Sequence, residues 1–409
     1  MANFHDVVIV GAGSAGIATA ASLLRRRPGL DVALIDPSET HYYQPGWTLV
    51  GGGVFRAADT ARPMQRVIPR GASWIAAAVA AIEPARNRMV LADGTAVSCR
   101  VMILAPGLTL DWEAIPGLTQ TLGRNGVTSN YRYDLAPYTW SLVQGLQSGT
   151  ALFTQPPMPI KCAGAPQKAM YLSCDHWRRQ DRLKAISVGF HNAGAVLFGV
   201  PAYVPALMEQ VARYGIDLAQ QSRLIAVDGP AHTATFEEKG PDGPRQITRH
   251  FDMLHVCPPQ RAPAVVRDSP LAGPDGWVAV DPATLRATGF EAVFALGDAA
   301  GTSNAKTAAA ARRQAPVVAK NALATLDGKP LAAGYDGYGS CPLTVERGRI
   351  VLAEFGYGGV LMPTFPRWMI DGTRPSRLAW LLKERGLPPI YWHAMLKGRE
   401  WLAAPKPLG

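Results

Sequence analysis

Residues 7–16 read Val7-Val8-Ile9-Val10-Gly11-Ala12-Gly13-Ser14-Ala15-Gly16, and an alanine-rich segment follows as far as Arg26. The β-branched run predicts a buried strand, the glycines a tight turn, and the alanines a helix. Gly11 permits the turn, Gly13 lets backbone amides approach a pyrophosphate, and Gly16 allows the helix to pack closely on the strand. A glycine turn without a ligand is the alternative.

A second predicted strand, residues 32–35, ends in Asp36. It lies about twenty residues beyond the last glycine, the offset at which an acid accepts a hydrogen bond from a dinucleotide ribose. If the glycine turn bound no ligand, the presence of an acid at this spacing would be a coincidence. The sequence therefore predicts dinucleotide binding within an α/β fold.

Composition limits the classes to which the chain can belong. Its 409 residues are 48% hydrophobic, enough for two or three domains, and the net charge of +10 favours an anionic ligand or surface. Nucleic acid is not expected, since basic runs interleaved with aromatic residues are missing. No apolar run reaches the roughly 18 residues that span a bilayer, and no secretory signal precedes the first strand. The five cysteines lack metal-ligand spacing, which predicts free thiols and no metal site.

Two later segments resemble the paired motifs of the two-dinucleotide-binding flavoprotein superfamily. They are Val101-Met102-Ile103-Leu104-Ala105-Pro106-Gly107 and Ala292-Val293-Phe294-Ala295-Leu296-Gly297-Asp298. The resemblance implies FAD, with Asp298 at its ribityl-pyrophosphate; non-covalent attachment is expected because residues 41–47 contain no cysteine. It also implies two Rossmann-like domains. Residues 1–110 and 286–344 are expected to form the FAD domain, 111–285 the second domain, and 345–409 a C-terminal region.

Cys162 follows a predicted strand at residues 150–154, in the loop Pro159-Ile160-Lys161-Cys162-Ala163-Gly164-Ala165-Pro166-Gln167-Lys168. Loops after parallel strands are where ligands meet an open α/β sheet. Lys161 and the positive end of a helix beginning beyond the loop favour a thiolate over a thiol. A small residue that merely fills the core is the alternative.

The second domain lacks a glycine fingerprint of its own. Residues 155–159 read Gln155-Pro156-Pro157-Met158-Pro159, and proline offers no amide to a phosphate, so binding of a pyridine nucleotide is disfavoured. His191, after the next predicted strand, is either a proton shuttle near the thiol or a core histidine with satisfied hydrogen bonds. Residues 226–251 are predicted to form a β-hairpin with a turn at Pro241-Asp242-Gly243-Pro244.

A second thiol, Cys341, follows a helix predicted over residues 304–311. The first turn of this helix is expected to face the flavin, where Lys306 either stabilises negative charge on the reduced ring or is simply solvated. Two cysteines from distant segments can then converge on one flavin face.

At this point the chain resembles the sulfide:quinone oxidoreductase family, in particular its type II branch. The resemblance rests on residues 161–168 and on His41-Tyr42-Tyr43-Gln44-Pro45-Gly46, Phe198-Gly199-Val200, Lys306-Thr307-Ala308-Ala309-Ala310 and Ser340-Cys341-Pro342-Leu343. It implies that Cys162 attacks flavin C4a and that Cys341 receives sulfane sulfur. The third cysteine and the glutamate of related branches are not evident, which agrees with type II and leaves the general base unassigned.

The implied reaction is the oxidation of hydrogen sulfide. HS⁻ attacks a Cys162–Cys341 disulfide, a persulfide remains on Cys341, and two electrons pass through FAD to ubiquinone or another quinone. Sulfite, glutathione or cyanide is expected to take the sulfur, which can also leave as polysulfide. Lys306 and His191 are the further catalytic candidates. The residues expected to bind FAD are Gly11, Gly13, Ala15, Gly16, Asp36, Gln44, Val79, Ala105, Pro106, Gly107, Gly297, Asp298, Lys306 and Thr307.

From residue 345 onward the chain is rich in aromatic residues, prolines and arginines. Short helices with tryptophan and leucine on one side and basic residues on the other suit a bilayer interface, where a lipid-dissolved quinone is collected. Phe355 and Phe365 are candidates for holding the quinone ring. We expect a peripheral protein of a bacterial inner membrane; a lid on the FAD domain or a homodimer contact is the alternative use of this region.

Two other functions remain open at this point. An NADH:quinone reductase on the same scaffold is disfavoured by the missing second glycine fingerprint. In a non-catalytic flavin-binding or persulfide-binding protein, Cys162 and Cys341 would lie far apart or be dispensable.

Overall fold

The computed structural model describes residues 3–240, 243–303 and 305–408. Its strands are β1 (Asn3–Val10), β2 (Val32–Ile35), β3 (Thr40–Tyr42), β4 (Ala61–Pro63), β5 (Ala72–Ile75), β6 (Val79–Glu83), β7 (Arg88–Leu91), β8 (Ala96–Leu104), β9 (Thr109–Leu110), β10 (Val127–Thr128), β11 (Gly149–Gln155), β12 (Ile186–Asn192), β13 (Asp217–Gln220), β14 (Ser222–Asp228), β15 (Thr233–Gly240), β16 (Gly243–His250), β17 (Met253–His255), β18 (Gln260–Arg261), β19 (Val293–Ala295), β20 (Ala333–Gly334), β21 (Gly339–Glu346), β22 (Arg349–Phe355) and β23 (Lys406–Pro407). Its α-helices are α1 (Ser14–Arg26), α2 (Trp47–Val50), α3 (Met64–Val67), α4 (Leu118–Thr121), α5 (Ala136–Gly145), α6 (Ala165–Arg179), α7 (Val204–Tyr214), α8 (Ala264–Arg267), α9 (Ala308–Leu326), α10 (Arg377–Leu381) and α11 (Leu387–His393).

The first sheet has seven strands in the order β5-β2-β1-β8-β7-β6, with β19 added against β8. β1 lies parallel between β2 and β8, so that Val10 is paired with both Ile35 and Leu104. β19 is parallel to β8 and brings Ala295 opposite Leu104. Because parallel strands end at the same edge, the loops after β1, β2, β8 and β19 meet there.

Small residues let α1 approach this sheet closely. A Cβ atom at Gly16 would lie 1.9 Å from the carbonyl oxygen of Gly11, a distance that excludes any side chain. The face of α1 from Ala15 to Leu23 is buried, and it packs on the alanine-rich helix α9. The predicted order of strand, turn and helix is therefore present.

The second sheet is parallel throughout, in the order β10-β17-β11-β12-β13. Strands β14, β15 and β16 form an antiparallel sheet of three strands, so the segment predicted as a hairpin is a longer meander that begins at Ser222. Pro241 and Asp242 of the predicted turn lie outside the described residues. The predicted division of the chain at residues 110, 285 and 344 stays a prediction.

The helix predicted over residues 304–311 begins only at Ala308. The reason is that the backbone at Lys306 pairs in parallel with Lys161 instead of coiling, and its carbonyl accepts a hydrogen bond from the amide of Cys162 at 2.8 Å. The Thr307 hydroxyl then caps the helix by accepting from the amide of Ala310. Asn304 lies outside the described residues.

The C-terminal region is well packed on its inner side. Trp380, Tyr391, Trp392 and Met395 are buried against the rest of the molecule, and β23 pairs with β20. None of the helices in the described residues is long and apolar enough to cross a membrane.

Candidate functional site

A cavity of about 510 Å³ opens at the carboxyl ends of the first sheet. Loops that follow β1, β2, β8 and β19 form one part of its wall, and Cys162 and Lys168 form another. A third part, which we call the apolar arm, is lined by Leu352, Phe365, Leu382, Leu387 and Ile390. Dinucleotide loop, thiol and apolar arm thus share one space.

The glycine loop has the form that a dinucleotide pyrophosphate needs. Gly11 has a φ of 98°, and a Cβ atom there would lie 2.3 Å from the carbonyl oxygen of Ala105. A Cβ atom at Gly13 would meet nothing within 4 Å, so the backbone is open to a ligand. The carboxylate of Asp36 faces the cavity and accepts a hydrogen bond from the amide of Ala12 at 2.7 Å. These residues fit the diphosphate and ribose of FAD.

The two predicted thiols lie together. The sulfurs of Cys162 and Cys341 are 3.5 Å apart, although 179 positions separate them in the chain. Cys162 has a φ of 51° at the turn before α6, and its carbonyl accepts a hydrogen bond from the amide of Ala165. Cys162 lines the cavity, whereas Cys341 is 2% exposed behind it.

Two buried lysines surround this pair. Nζ of Lys168 donates to the sulfur of Cys162 at 3.0 Å. Lys383, which lines the cavity after α10, donates to the carbonyl oxygen of Pro342, next to Cys341, at 3.5 Å. The sequence analysis named Lys168 only as the last residue of the thiol loop, without a role, and it missed Lys383. The spacing of Lys168 six residues after Cys162 at a helix start was a usable signal, but nothing near Lys383 was.

The surroundings of the two thiols shift their pKa values in opposite directions. A hydrogen bond from Cys341, then the charge and hydrogen bond of Lys168, hold the pKa of Cys162 well below its ordinary value despite burial. The pKa of Cys341 is raised well above it, because Cys341 donates to Cys162 and is buried. Burial works against the charged form of Lys168, but the neighbouring sulfurs outweigh it and raise its pKa. The pair therefore carries one thiolate, on Cys162.

Lys306 reaches the cavity wall, but its amine is held by the protein. Nζ donates to the carbonyl oxygens of Asp298 at 2.7 Å and Ala300 at 3.0 Å, and it lies 3.7 Å from the centre of the Trp277 ring. Burial lowers the pKa of Lys306 to about 8, against the charges of Asp298 and Asp275. Lys306 contacts the thiol loop through its backbone carbonyl, which accepts a hydrogen bond from the backbone amide of Cys162.

Most of the predicted FAD residues lie at the cavity. Those on its wall are Gly13, Ala15, Asp36, Gln44, Ala105, Pro106, Gly107, Gly297, Asp298, Lys306 and Thr307. Gly11 and Gly16 lie just beneath it, where they bring backbone segments together. Gln44 accepts a hydrogen bond from Nζ of Lys161 at 2.7 Å, so the loop after β3 is tied to the thiol loop.

Three predicted site residues are not brought to the cavity. His191 is buried in β12, bonded to the hydroxyl of Ser222 at 2.8 Å and stacked on Phe236, and burial lowers its pKa to about 4. This environment matches the alternative of a satisfied core histidine. Phe355 ends β22 and packs edge-on against Phe198 inside the core. Val79 begins β6 on the antiparallel side of the first sheet.

Glu354 is a buried acid beside the apolar arm that the sequence analysis did not single out. Its carboxylate accepts hydrogen bonds from Tyr338 Oη at 2.6 Å, from the amide of Thr364 at 3.1 Å and from the hydroxyl of Thr364. No ion pair of the described residues includes it. A buried carboxylate without a cation, facing a cavity, is a candidate for proton transfer.

The dinucleotide loop and the facing thiols together define a disulfide oxidoreductase of the two-domain, dinucleotide-binding class. The family model described as pyridine nucleotide-disulphide oxidoreductase matches residues 5–143. Within this class the chain belongs to the sulfide:quinone oxidoreductase family. It is 38% identical to the mitochondrial sulfide:quinone oxidoreductase of Dictyostelium discoideum. The 400 aligned residues cover 97% of this chain and 87% of that protein.

Solved structures share the fold across the chain. The sulfide:quinone oxidoreductase of Aquifex aeolicus is 18% identical and superposes with a TM-score of 0.79 over 97% of this chain and 92% of that chain. A chain of the mitochondrial ATP synthase assembly of Tetrahymena thermophila is 20% identical and has a TM-score of 0.85 over 97% and 96%. At these identities the likeness concerns the fold, with both Rossmann-like domains.

Proposed function

We propose that this chain is an FAD-dependent enzyme that oxidises hydrogen sulfide to sulfane sulfur and delivers two electrons to a quinone. The observation that carries the proposal is the pair of thiols 3.5 Å apart, with Lys168 on one of them, at a cavity shared with the dinucleotide loop. Membership in the sulfide:quinone oxidoreductase family supports both the substrate and the acceptor.

Charge decides which sulfur is attacked. In the oxidised pair, HS⁻ forms a bond to the sulfur of Cys341, the bond between the cysteines breaks, and its electron pair leaves with Cys162. Lys168 stabilises the leaving thiolate, and a sulfur of lower pKa leaves faster. A persulfide remains on Cys341. Because Cys341 is buried, a nucleophile as small as HS⁻ is favoured over a bulky thiol.

After the outer sulfur has passed to an acceptor, the freed Cys341 thiolate bonds to Cys162 and restores the disulfide, and the two electrons released in this step would pass through FAD, when it is bound, to the quinone. We assign its pyrophosphate to the loop of Gly13 and Ala15 and its ribose to Asp36, with Gly297 and Asp298 facing the ribityl chain. Cys162 lines the same cavity, and its backbone amide is bonded to the carbonyl of Lys306, so we assign it to the flavin face.

The apolar arm is the proposed quinone site, with Phe365 on its wall. Reduction of a quinone consumes two protons together with the two electrons. Glu354, hydrogen-bonded to Tyr338 and Thr364 at the edge of the arm, is the group we assign to proton delivery.

The C-terminal region supports contact with a membrane surface. Six large apolar side chains between residues 360 and 381 are exposed: Val360, Leu361, Trp368, Met369, Leu378 and Leu381. Arginines 367, 374 and 385 are exposed among them, a mixture that suits an anionic bilayer interface. Peripheral attachment to a quinone-containing membrane, in a bacterium the inner membrane, is therefore the proposed location, and a homodimer contact is the competing use of the same surface.

An anaerobic titration with sulfide tests the proposal. The flavin absorbance of the wild-type holoenzyme should bleach, whereas Cys162→Ser and Cys341→Ser should not bleach at a comparable rate. Cys174→Ser is the matched control, because Cys174 is a buried cysteine of α6 away from the cavity wall. Bleaching of all three variants alike would refute the thiol mechanism, and bleaching by NADH instead of sulfide would favour the reductase alternative.

A further inference from the structure

The backbone on either side of Cys162 is held by hydrogen bonds at consecutive polar groups. The N–H of Lys161 donates to Oε1 of Gln260 at 2.7 Å, and the carbonyl of Lys161 accepts from the hydroxyl of Tyr131 at 3.2 Å. The N–H of Cys162 donates to the carbonyl of Lys306 at 2.8 Å, and the carbonyl of Cys162 is taken within the turn that begins α6. The peptide unit that precedes the thiol is therefore fixed at both of its polar ends.

These bonds hold a conformation that a cysteine rarely adopts. Cys162 has a φ of 51°, in the left-handed region that favours glycine or asparagine. Such a residue keeps this conformation only where its surroundings enforce it. Tyr131 follows β10, and Gln260 begins β18 after the last strand of the second sheet, whereas Lys306 follows β19 of the first sheet. The backbone at Cys162 is thus held from both sheets.

The two side chains from the second sheet are themselves anchored. Nε2 of Gln260 donates to the sulfur of Cys257 at 3.7 Å, which orients the amide so that its oxygen faces Lys161. The N–H of Cys257 donates to the hydroxyl of Thr154 at 3.2 Å, and burial raises the pKa of the Cys257 thiol to about 12. Tyr131 is 4% exposed. Cys257, a third thiol, is therefore protonated and serves as an anchor for Gln260.

A fixed backbone leaves the side chain of Cys162 as the part that can move. Its sulfur is 3.5 Å from that of Cys341, and a disulfide bond needs about 2.05 Å. A step between two staggered rotamers displaces a cysteine sulfur by about 3 Å, which is more than the bond requires. Cys341 lies in β21, paired with Ala353 of β22, so its backbone is held as well. Rotation at Cys162 alone can close or open the contact.

We infer that Tyr131 and Gln260 are positioning residues that fix the backbone at Cys162, so that its sulfur moves between Cys341 and the flavin by side-chain rotation. This inference rests on the proposed function, which assigns Cys162 to the flavin face of the cavity. Rotation of one side chain breaks none of the hydrogen bonds that hold the loop. The same sulfur can therefore serve both positions without a slower rearrangement of the loop.

Hydrogen exchange of the holoenzyme, followed by mass spectrometry, tests whether the backbone stays in place. Residues 160–170 should exchange at equal rates in the disulfide form and after reduction by dithiothreitol. Tyr131→Phe removes one hydroxyl, and Gln260→Leu removes the acceptor for the N–H of Lys161. Each should speed exchange of this segment about 3- to 10-fold, the factor by which loss of one hydrogen bond shifts an equilibrium. Unequal exchange in the two forms of the wild type would overturn the inference.

The equilibrium of the disulfide with a glutathione redox buffer separates positioning from folding stability. A loosened backbone lowers the effective concentration of the Cys162 sulfur at Cys341, so the constant for disulfide formation should fall about 3- to 10-fold in both variants. Tyr214→Phe is the matched control, because buried Tyr214 donates a similar hydrogen bond to the carbonyl of Val345 at 3.1 Å and does not line the cavity.

The control should lower the melting temperature about as much as Tyr131→Phe does, but it should keep the wild-type exchange of residues 160–170 and the wild-type disulfide equilibrium. Equal changes in the control, or unchanged values in Tyr131→Phe, would overturn the inference. Failure of the wild-type enzyme to bleach with sulfide would instead refute the proposed function, and neither of these two measurements depends on that bleaching.

Discussion

The ammonium nitrogen of Lys168 lies 3.0 Å from the sulfur of Cys162, one turn into the helix that begins beside the thiol. Lys168 acts on Cys341 as well, but burial and the neighbouring Cys162, 3.5 Å away, outweigh it and keep the pKa of Cys341 raised. The two thiols therefore differ in acidity, and in the proposed mechanism Cys162 is the leaving group and Cys341 is the sulfur that carries the persulfide.

Replacement of Lys168 by methionine should raise the pKa of Cys162, because the charge and hydrogen bond that stabilise the thiolate are lost. The rate of alkylation of the reduced protein by iodoacetamide, followed at Cys162 by mass spectrometry, should fall about tenfold or more near pH 6, one pKa unit being a factor of ten. Lys184→Met, at an exposed lysine, is the control. An unchanged pH profile would contradict the assignment of the thiolate.

The burial of Lys383 predicts that the stability of the folded protein depends on pH. Burial, together with the charge of Lys168, lowers its pKa to about 7, whereas an unfolded lysine titrates near pH 10.4. Between these values the unfolded chain binds more protons than the folded protein, so the free energy of unfolding rises with pH, by at most about 1.4 kcal/mol per pH unit. The free-energy cost of burying Lys383 is therefore largest at pH 7 and below, and it disappears above about pH 10.

Lys383→Met should therefore raise the melting temperature most at pH 7, and the gain should shrink toward pH 10. Thermal unfolding at pH 7, 8, 9 and 10 measures this difference. Lys320→Met, at an exposed position of α9, should show no such trend. A gain that is constant with pH would mean that Lys383 is not neutralised on folding.

Glu354→Gln should slow reoxidation of the sulfide-reduced enzyme by a ubiquinone analogue about 100-fold, because general acids typically contribute factors of this size. Reduction by sulfide should be unaffected, and stopped-flow absorbance separates the two half-reactions. Thr364→Val, which removes one hydrogen bond but keeps the acid, should retain most of the rate, and Glu237→Gln on the three-stranded sheet is the control. Equal loss in both half-reactions would indicate a structural role.

Trp368→Ser combined with Leu381→Ser should weaken binding to vesicles of phosphatidylcholine and phosphatidylglycerol. Burial of one large apolar side chain contributes about 1.5–3 kcal/mol, so the loss in co-sedimentation affinity should exceed about tenfold. Met208→Ser, an exposed methionine on α7, should bind as the wild type does. Unchanged binding together with a shift from dimer to monomer in gel filtration would identify the surface as a dimer contact.

Local chemistry is what made parts of the site predictable. The roles of Gly11, Gly13 and Asp36 depend on backbone conformation and on the spacing between the glycine turn and the acid. Both can be recognised in a short stretch of sequence. Cys162 and Cys341 became visible through their flanking residues and the resemblance to the family. Phe355 and His191 also looked suitable, but the sequence does not tell which side of a strand faces the core, and both are buried away from the cavity.

By itself, the sequence determined the dinucleotide loop, the α/β fold and the two candidate thiols, because each depends on residues close together in the chain. Only the tertiary structure decided that the thiols lie 3.5 Å apart and that the ammonium group of Lys168 donates a hydrogen bond to Cys162. It alone brought Lys383, Glu354 and Tyr131 to the same cavity. The physical reason is that pKa values and hydrogen-bond satisfaction depend on burial and on neighbours from distant segments, which no local pattern encodes.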